Sequence, residues 1–383
     1  MELHLVRQIA DIDRQAWNGL VIDNNPFLRH EFLLALEEHQ CVSDKFGWYA
    51  QHVALYDQGR LIAAMPLYAK TNSYGEFVFD QAWSQAWQSV GLGYFPKWVS
   101  SIPYAPVTGQ RFLIAPDQQA DQIRAFLVKH LQKIATEQGV SGWHILFAEH
   151  YAAPNDQAWL SSQPDWLIRH DCHFHWFNRG YQTFDDFLAQ LKPKKRKNIK
   201  QERRKVEQAG VGLRRLNGHT ASEQDWQDFA YLYEKTFAEK HSIATLNQGF
   251  FQAVAQALPD QVLLVMAERD GKTIAGSLMF VSDSVLFGRH WGCMDDVNSL
   301  HFEACYCQGI EFAIEKGLQR FEPGAGGEHK IARGFEPVIT QSAHWLAQNP
   351  FPSGIAGFVA EEKAMIDDCF KQSWLQRPFK LND

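Results

Sequence analysis

Residues 321–335 read FEPGAGGEHKIARGF, in which a short apolar strand leads into a glycine-rich turn and then into a cluster of ionisable side chains. Gly324, Gly326 and Gly327 permit positive backbone φ angles and a close approach of a ligand to the main chain. If Glu328 opens a short helix, the free N–H groups there favour an anion. The stretch predicts a turn that binds a negative group beside a proton acceptor, with a solvated surface turn as the alternative.

The length and composition of the chain predict the class of protein to which this turn belongs. A chain of 383 residues is long for one core, which predicts two domains. The net charge of −7 argues against a protein coated by nucleic acid, so any contact with a polyanion must be local. No apolar run reaches the roughly 18 to 20 residues of a membrane span, and the N-terminus lacks a secretion signal. Six cysteines without Cys-x-x-Cys spacing predict a reduced, cytoplasmic protein with no metal site.

The chain reads as one unit used twice. Residues 211–345 predict the order β-α-α-β-β-β-α-β-α-β, and residues 3–177 repeat it around a Trp-rich insert. The segment DQGRLIAA at 57–64 is echoed by RDGKTIAG at 269–276. We therefore predict an α/β (α+β) fold of two tandem units, each a mixed, mostly antiparallel sheet flanked by helices. The predicted boundaries are an N-terminal unit at 1–180, a basic helical connector at 181–210 and a C-terminal unit with the candidate catalytic turn at 211–383.

This order of elements resembles the fold of the GNAT-type acyltransferases, the acyl-CoA N-acyltransferases. Two tandem copies resemble the FemAB-like aminoacyl transferases, which build peptidoglycan cross-bridges. Three stretches sharpen the resemblance, namely FHWFNRGY at 174–181, KKRKNI at 194–199 and GEHKIARGF at 327–335. They are similar to the proteobacterial FemAB-related subfamily of peptidoglycan-biosynthesis or N-acyltransferase proteins. The resemblance implies two GNAT-like units and a bacterial transferase that moves an acyl or aminoacyl group to an amine.

Transfer of an acyl group to an amine needs a group that takes the amine proton and another that stabilises the oxyanion. Glu328 and His329 suit the first task, while Lys330 and Arg333 can bind phosphate or carboxylate. Glu322 and His290 are expected near the same sheet edge. The sequence fixes no division of roles within the predicted catalytic group, which comprises Glu328, His329, Lys330, Glu322 and His290.

Nine of the fourteen residues at 192–205 are Lys or Arg, in a segment that Pro193 predicts to start a helix. Like charges on adjacent helical turns repel unless an anion neutralises them, which favours a polyanionic ligand over a solvated helix between the domains. The aromatic insert at 83–107 predicts either a wall of the acceptor site or core packing. The predicted substrate-binding residues are Gly324, Gly326, Gly327, Arg333, Lys194, Lys195, Arg196, Lys197, Lys200, Arg203, Arg204, Trp176 and Tyr104.

The carrier of the acyl group stays open. GNAT-type enzymes hold CoA with an Arg/Gln-x-x-Gly-x-Gly/Ala turn, but here Met294 replaces a small residue and Asp295 and Asp296 would repel pyrophosphate. The long helical arm of tRNA-binding relatives is missing after Glu202. We expect no tightly bound cofactor, with acyl-CoA, an acyl carrier or aminoacyl-tRNA as co-substrate and an amine, such as that of a cell-wall precursor, as acceptor. The alternative is a non-catalytic anion- or RNA-binding module on a degenerate GNAT fold.

One pair of histidines raises the question of a metal. His173 and His175 lie on the same face of a predicted strand, as metal ligands would. With no clear carboxylate or Cys partner nearby in the sequence, we favour a structural or substrate-lining role for the pair.

Overall fold

The computed structural model describes residues 1–151 and 155–380, and its chain divides into two compact units. The first unit comprises Met1–Asp171 with Ile339–Asp368, and the second comprises Cys172–Val338 with Cys369–Asp383. These boundaries differ from the predicted ones, because the basic segment at 181–210 belongs to the second unit and is no separate connector. The C-terminal region is likewise shared between the units instead of belonging to one of them.

In its described residues, the first unit consists of two sheets and flanking helices. Its elements are β1 (Glu2–Val6), α1 (Arg14–Asn18), α2 (His30–Glu38), β2 (Trp48–Ala50), β3 (His52–Asp57), β4 (Arg60–Met65), β5 (Tyr68–Lys70), α3 (Gln81–Ser89), β6 (Lys97–Ser100), β7 (Leu113–Ile114), α4 (Ala120–Glu137), β8 (Gly142–Leu146) and α5 (Asp156–Ser161). One sheet has the antiparallel order β1-β3-β4-β7. In the other, β2, β5 and β6 are antiparallel, while β6 and β8 run parallel.

The second unit contains one sheet that is antiparallel except for one pair. After β9 (Leu167–Phe177), the elements are α6 (Phe184–Gln190), α7 (Pro193–Gln208), β10 (Gly212–Leu216), α8 (Glu223–Glu239), α9 (Gln248–Ala257), β11 (Val262–Arg269), β12 (Lys272–Val281), β13 (Val285–Cys293), α10 (Leu300–Phe302), α11 (Gln308–Glu315), β14 (Arg320–Glu322), β15 (Glu336–Leu346) and α12 (Pro352–Leu375). The strand order is β10-β11-β12-β13-β14-β9, and only β13 and β14 are parallel. The predicted fold class, with mixed and mostly antiparallel sheets flanked by helices, is confirmed.

Two strands, β9 and β15, each contain residues that belong to both units. Within the second unit, Trp176 and Phe177 of β9 pair with β14. Within the first unit, residues 342–346 of β15 pair with β8. The sequence assigned 166–177 wholly to the N-terminal half and 337–345 wholly to the C-terminal half. That assignment is wrong because backbone pairing between distant segments leaves no mark on local periodicity.

Two other predictions about elements are wrong for local reasons. The apolar pattern of EFVF at 76–79 predicts a strand, but the structure has a loop there, because Glu76 and Asp80 both turn inwards and Phe77 adopts a φ of 61°. Helix α12 is absent from the prediction, since Ile355 and Val359 are its only buried apolar residues in the described part of the chain. By contrast, Ser222 caps α8 in a capping box with Asp225, as its sequence position predicts. Among the described residues, none of the helices combines the length and hydropathy that a bilayer-spanning helix requires.

A buried ion cluster anchors the loop between β5 and α3. Lys97 at the start of β6 is fully buried, donates to Glu76 over 2.7 Å and bonds to Asp80. Tyr94 donates its hydroxyl to Asp80 over 2.6 Å. Burial raises the pKa of Glu76 to about 7, against the opposing effect of the Lys97 charge. Glu76, Asp80 and His144 are spaced as metal ligands would be, but the Lys97 ammonium already bonds both carboxylates.

Removal of this ammonium should destabilise the first unit strongly. We expect Lys97→Met to lower the unfolding free energy by about 3–5 kcal/mol, because it leaves Asp80 buried without its counter-charge. The matched control is Arg60→Met, which breaks the exposed ion pair to Asp117 and should have little effect. Urea unfolding followed by tryptophan fluorescence checks both variants. Equal losses in the two variants would contradict a stabilising role for the buried cluster.

Candidate active site

The candidate site lies in the second unit, where two parallel strands separate. β13 and β14 pair over three residues, from Val285 with Arg320 to Phe287 with Glu322. β14 then ends, whereas β13 continues to Cys293. In the pairing of β13 with β12 the register shifts, so that Arg289 is an extra residue between Gly288 and His290. Such a bulge redirects the side chain that it carries, and bulges are common beside active sites.

The glycine-rich turn that follows β14 is closed by its own lysine. Gly324, Gly326 and Gly327 have φ angles of 89°, 67° and 90°, as the composition of the turn predicts. The chain then forms a short 3-10 helix at Glu328–Arg333. From this helix Lys330 reaches back, and its Nζ donates to the carbonyl of Gly324 over 2.8 Å and to that of Ala325 over 3.2 Å. The turn is therefore fixed from within.

Lys330 is the most perturbed cation of this turn. Its side chain is buried, with the residue only 3% exposed. Burial, together with the positive charge of Arg289 and against the opposing effect of Cys305, lowers the pKa of Lys330 to about 7. A lysine in this state exchanges its proton near neutral pH, which is the range in which a general acid or base works best.

Arg289 and Glu322 are two further charged residues close to the glycine-rich turn. A Cβ built on Gly324 would lie 3.5 Å from the Arg289 guanidinium, which places this cation against the turn. Burial lowers the pKa of Arg289 to about 10, and the negative charge of Glu322 opposes that shift. Glu322 itself is buried and accepts a hydrogen bond from Arg320 over 2.9 Å. Its predicted catalytic role is thus accompanied by a structural one, since it compensates buried positive charge.

His329 faces solvent beside an aromatic group. Its Nε2 lies 2.9 Å from the hydroxyl of Tyr306, and its ring folds over Gly327. Burial, with the charges of Lys330 and Arg333, lowers the pKa of His329 below its usual 6.5, so that the ring is neutral at physiological pH. Glu328 is exposed, and its side chain makes no hydrogen bond or ion pair to the described residues.

Arg333 holds the loop in place instead of lying open to a ligand. It is buried, its guanidinium lies 3.3 Å from the ring centroid of Phe302, and it donates to the His329 carbonyl over 3.0 Å. A further bond of 2.9 Å runs to Glu202 on α7. Arg333 stays a predicted substrate-binding residue: both of its terminal nitrogens are bonded within the protein, whereas its Nε is buried without a hydrogen-bond partner among the described residues.

Helix α7 carries the basic segment and has two distinct faces. Ile199 and Val206 are buried and anchor it, and Glu202, which lies between them in the sequence, accepts a hydrogen bond from Arg333 of the 3-10 helix. Arg203 also points inwards, with bonds of 3.0 Å to Glu303 and 2.6 Å to Glu311. Its predicted role in anion binding is therefore wrong, because two carboxylates already neutralise it. Lys200 forms an ion pair of 2.8 Å with Asp185. The other predicted basic residues of the helix are exposed or half-buried: Lys194, Lys195, Arg196, Lys197 and Arg204.

Three other predicted site residues are rings that pack against aromatic neighbours within their own unit. Trp176 is fully buried and packs on Tyr181 and Phe187 in the core of the second unit. Tyr104 is buried in the first unit and donates to the Cys41 carbonyl over 2.8 Å. Both are corrected from substrate-lining to core residues, since large rings gain most from full burial. His290 packs its ring against Tyr233, with centroids 5.0 Å apart, and burial lowers its pKa well below 6.5.

Sequence reasoning missed the contribution of the helix that follows β13. A π-helical segment at Glu303–Cys307 joins α10 to α11 and presents Tyr306 to His329 and Cys305 towards Lys330. Single π-turns inside helices are frequent at functional sites, but no residue pattern announces them. Burial raises the pKa of Cys305 to about 12, so the thiol is protonated and unsuited to nucleophilic attack. In the sequence, Arg289 is marked only as the first residue of the stretch RHWGCM at 289–294, which matches the CoA-binding turn in part.

Comparison with known proteins agrees with this architecture. FemX has the same fold at 10% sequence identity, with a TM-score of 0.55 over 93% of this chain and 100% of FemX. L-PGS from Bacillus licheniformis is also 10% identical, with a TM-score of 0.51 over 86% of this chain and 96% of that one. None of the curated proteins gives a significant match to the sequence. Residues 8–381 match the FemAB-like family, which is described by peptidoglycan biosynthesis or recognition. The chain therefore belongs to the FemAB-like family.

Proposed function

We propose that the protein is an N-acyltransferase, which moves an acyl or aminoacyl group from an activated anionic carrier to an amine. The description of the family supports a cell-wall precursor as the acceptor. The motifs at 174–181, 194–199 and 327–335 favour the proteobacterial FemAB-related subfamily, and the spacing of the cysteines favours a cytoplasmic enzyme. FemX and L-PGS, at 10% identity, support the fold and leave donor and acceptor to be determined.

Lys330 is the observation that carries this proposal. Two of its N–H groups are directed at the carbonyls of Gly324 and Ala325, which leaves one position on Nζ for a substrate atom. With a pKa of about 7, Nζ is neutral in roughly half of the molecules at neutral pH. A neutral Nζ in that position can accept the proton of an attacking amine. A buried, turn-fixed lysine is also preorganised, which is what catalysis requires of such a group.

In the proposed reaction, the acceptor nitrogen attacks the carbonyl carbon of the ester or thioester and loses a proton to Lys330 Nζ. The carbonyl oxygen becomes negative in the tetrahedral intermediate, and Arg289 supplies the positive charge near the turn. The bond to the carrier oxygen or sulfur then breaks, and the proton on Nζ passes to this leaving group. His329, neutral and bonded to Tyr306, is positioned to exchange protons between the turn and solvent.

The outer face of α7 is the proposed contact for the carrier. Lys194, Lys197 and Arg204 are exposed there, while Glu202 on the inner face of the same helix binds Arg333 of the catalytic loop. A polyanion on this face would be held next to the loop that carries Lys330. The second candidate function, a non-catalytic module that binds an anion or RNA, rests on the same surface.

Loss of the Lys330 amine should abolish most of the turnover. We expect Lys330→Met to lower the single-turnover rate of acyl transfer by at least about 100-fold, because general-base contributions are of this size or larger. Lys316→Met, at an exposed position of the same unit, is the matched control and should leave the rate unchanged. Transfer from radiolabelled aminoacyl-tRNA and acyl-CoA donors to cell-wall precursor amines measures the rate. Full activity in Lys330→Met would exclude Lys330 as the base.

The pH profile should report the same group. If neutral Lys330 is the base, the single-turnover rate with both substrates bound rises with pH through about 7 and then levels off. His329 in this role would instead produce a rise below pH 6.5, since its pKa is lowered. A rate that falls above pH 7 would contradict the proposed role and assign the protonated lysine to oxyanion stabilisation.

The outer face of α7 is tested by neutralising two of its charges. The Lys194→Gln/Lys197→Gln variant should bind deacylated tRNA more weakly and show a slope of log K against log salt that is shallower by about 1.5, as counterion release predicts. Lys129→Gln/Lys133→Gln on the exposed face of α4 is the control. Fluorescence anisotropy at several salt concentrations gives the slopes. An unchanged slope would remove α7 from the contact, and tRNA binding without turnover of any donor would favour the non-catalytic function.

A further inference from the structure

The segment that follows α12 returns to the start of the basic helix. Residues 376–380 lie antiparallel to residues 190–192. The amide of Lys192, the residue just before α7, donates to the carbonyl of Pro378 over 2.8 Å. The side chain of Lys192 donates to the carbonyl of Arg377 over 3.2 Å. Because main-chain groups at the start of a helix lack partners within the helix, these bonds fix the point at which α7 begins.

Arg377 of this segment reaches a carboxylate on another element of the second unit. Its Nη1 donates to Oε2 of Glu336, the first residue of β15, over 2.8 Å. Its guanidinium lies 3.4 Å from the ring centroid of Trp374, and its Nε donates to the Trp374 carbonyl over 3.0 Å. A planar guanidinium can stack on a ring and bond a carboxylate at the same time. The ring and the carboxylate therefore hold the Arg377 side chain in one orientation.

Glu336 is buried and is bonded by a second arginine. Its Oε1 accepts a hydrogen bond from Arg179, whose guanidinium lies 5.2 Å from the ring centroid of Phe379. Arg179 belongs to the stretch at 174–181, and Glu336 follows directly after the stretch at 327–335. A buried carboxylate is costly without a counter-charge, so the two guanidiniums keep Glu336 in its position. The contact joins two sequence motifs that have no common role in the proposed reaction.

The position of Glu336 bears on the loop that carries Lys330. The amide of Phe335 donates to the Lys330 carbonyl over 3.3 Å, so few residues separate the carboxylate from the catalytic turn. Gly334 ends the 3-10 helix with a φ of 90°, and a Cβ built there would lie 2.5 Å from the Phe187 ring of α6. The end of the loop is thus packed against α6 on one side and tied to Arg377 through Glu336.

We propose that Arg377 is a positioning residue, which acts through Glu336 to hold Lys330 in place for acyl transfer. The inference rests on the proposed function, in which Lys330 accepts the proton of the attacking amine. The segment at 376–380 fixes two parts of the proposed site, since it bonds the start of α7 and the end of the Lys330 loop. The carrier that α7 binds and the base that receives the proton are thereby kept in register.

The kinetic test compares two substitutions of Arg377. We expect Arg377→Gln to lower the single-turnover rate with both substrates bound at least about tenfold, because small displacements of a catalytic group are costly. Arg377→Lys keeps the positive charge and a donor for Glu336, so it should recover most of the rate. Lys371→Gln, at an exposed position of α12, is the matched control and should leave the rate unchanged. Circular dichroism and thermal unfolding confirm that the variants fold.

The pH profile separates positioning from general stabilisation. In Arg377→Gln a loosened loop admits water to Lys330, so the midpoint of the rate against pH should move above about 7. The substitution leaves unaltered the two groups whose charges also act on Lys330, namely Arg289 and Cys305. A role in stability alone would lower the folded fraction without moving this midpoint. A reduced rate with an unchanged midpoint would therefore overturn the proposal.

Hydrogen exchange tests the contact without any donor. We expect the amides of Gly334 and Phe335 to exchange at least about tenfold faster in Arg377→Gln than in the unaltered protein, as locally opened segments do. Unchanged exchange would overturn the proposal, and so would faster exchange with an unchanged rate. If the unaltered protein transfers no acyl group from any donor, the proposed function fails. Faster exchange in that case would still assign to Arg377 the hold on the Lys330 loop.

Discussion

The conformation of the candidate site in the second unit depends on the point at which β13 and β14 stop pairing. Two parallel strands that separate after three residues expose main-chain groups that the sheet no longer satisfies, and buried groups of this kind are costly. The Lys330 ammonium satisfies two of them, the carbonyls of Gly324 and Ala325. The glycines make the turn possible, but the lysine holds it in one conformation. Arg289, Glu322 and the Tyr306–His329 pair are arranged around this closure.

Burial of Lys330 in the glycine-rich turn costs free energy of folding, and this cost depends on pH. The pKa of Lys330 is about 7 in the folded protein and near 10.4 in an unfolded chain, so the unfolded state binds more protons between these values. The contribution of Lys330 to the free energy of unfolding therefore rises with pH from about 7 to about 10, and this contribution is smallest below pH 7. A side chain with only a structural task would gain from keeping its charge in water. The retained cost fits a lysine whose proton is needed.

Much of the local structure could be predicted from sequence, whereas the pairing of distant segments could not. Pro193 and the capping residue Ser222 mark the starts of α7 and α8, because both act within one helical turn. The inward turn of Arg203 depends on Glu303 and Glu311, which lie a hundred residues away in the chain. The shared strands β9 and β15 escape local reasoning for the same reason. The catalytic group around Lys330 stays a prediction from the sequence, whereas the bonds from Lys330 to the carbonyls of its own turn are visible only in the structure.

Each unit contains a pair of parallel strands, and the residues that follow the pair differ between the units. In the first unit β6 and β8 bring Trp98 opposite Trp143, and both rings are fully buried. Beyond this pair, the buried Arg111 guanidinium donates to the carbonyls of Leu146 and Val107, each over 2.7 Å. An arginine keeps its charge at any physiological pH and fills the space, so this position is a structural plug. In the second unit a lysine closes the turn after β14, with a pKa near neutrality and glycines around it. Beyond the parallel pair, the first unit is therefore filled by an arginine that keeps its charge, whereas the second unit holds a lysine that exchanges its proton near neutral pH.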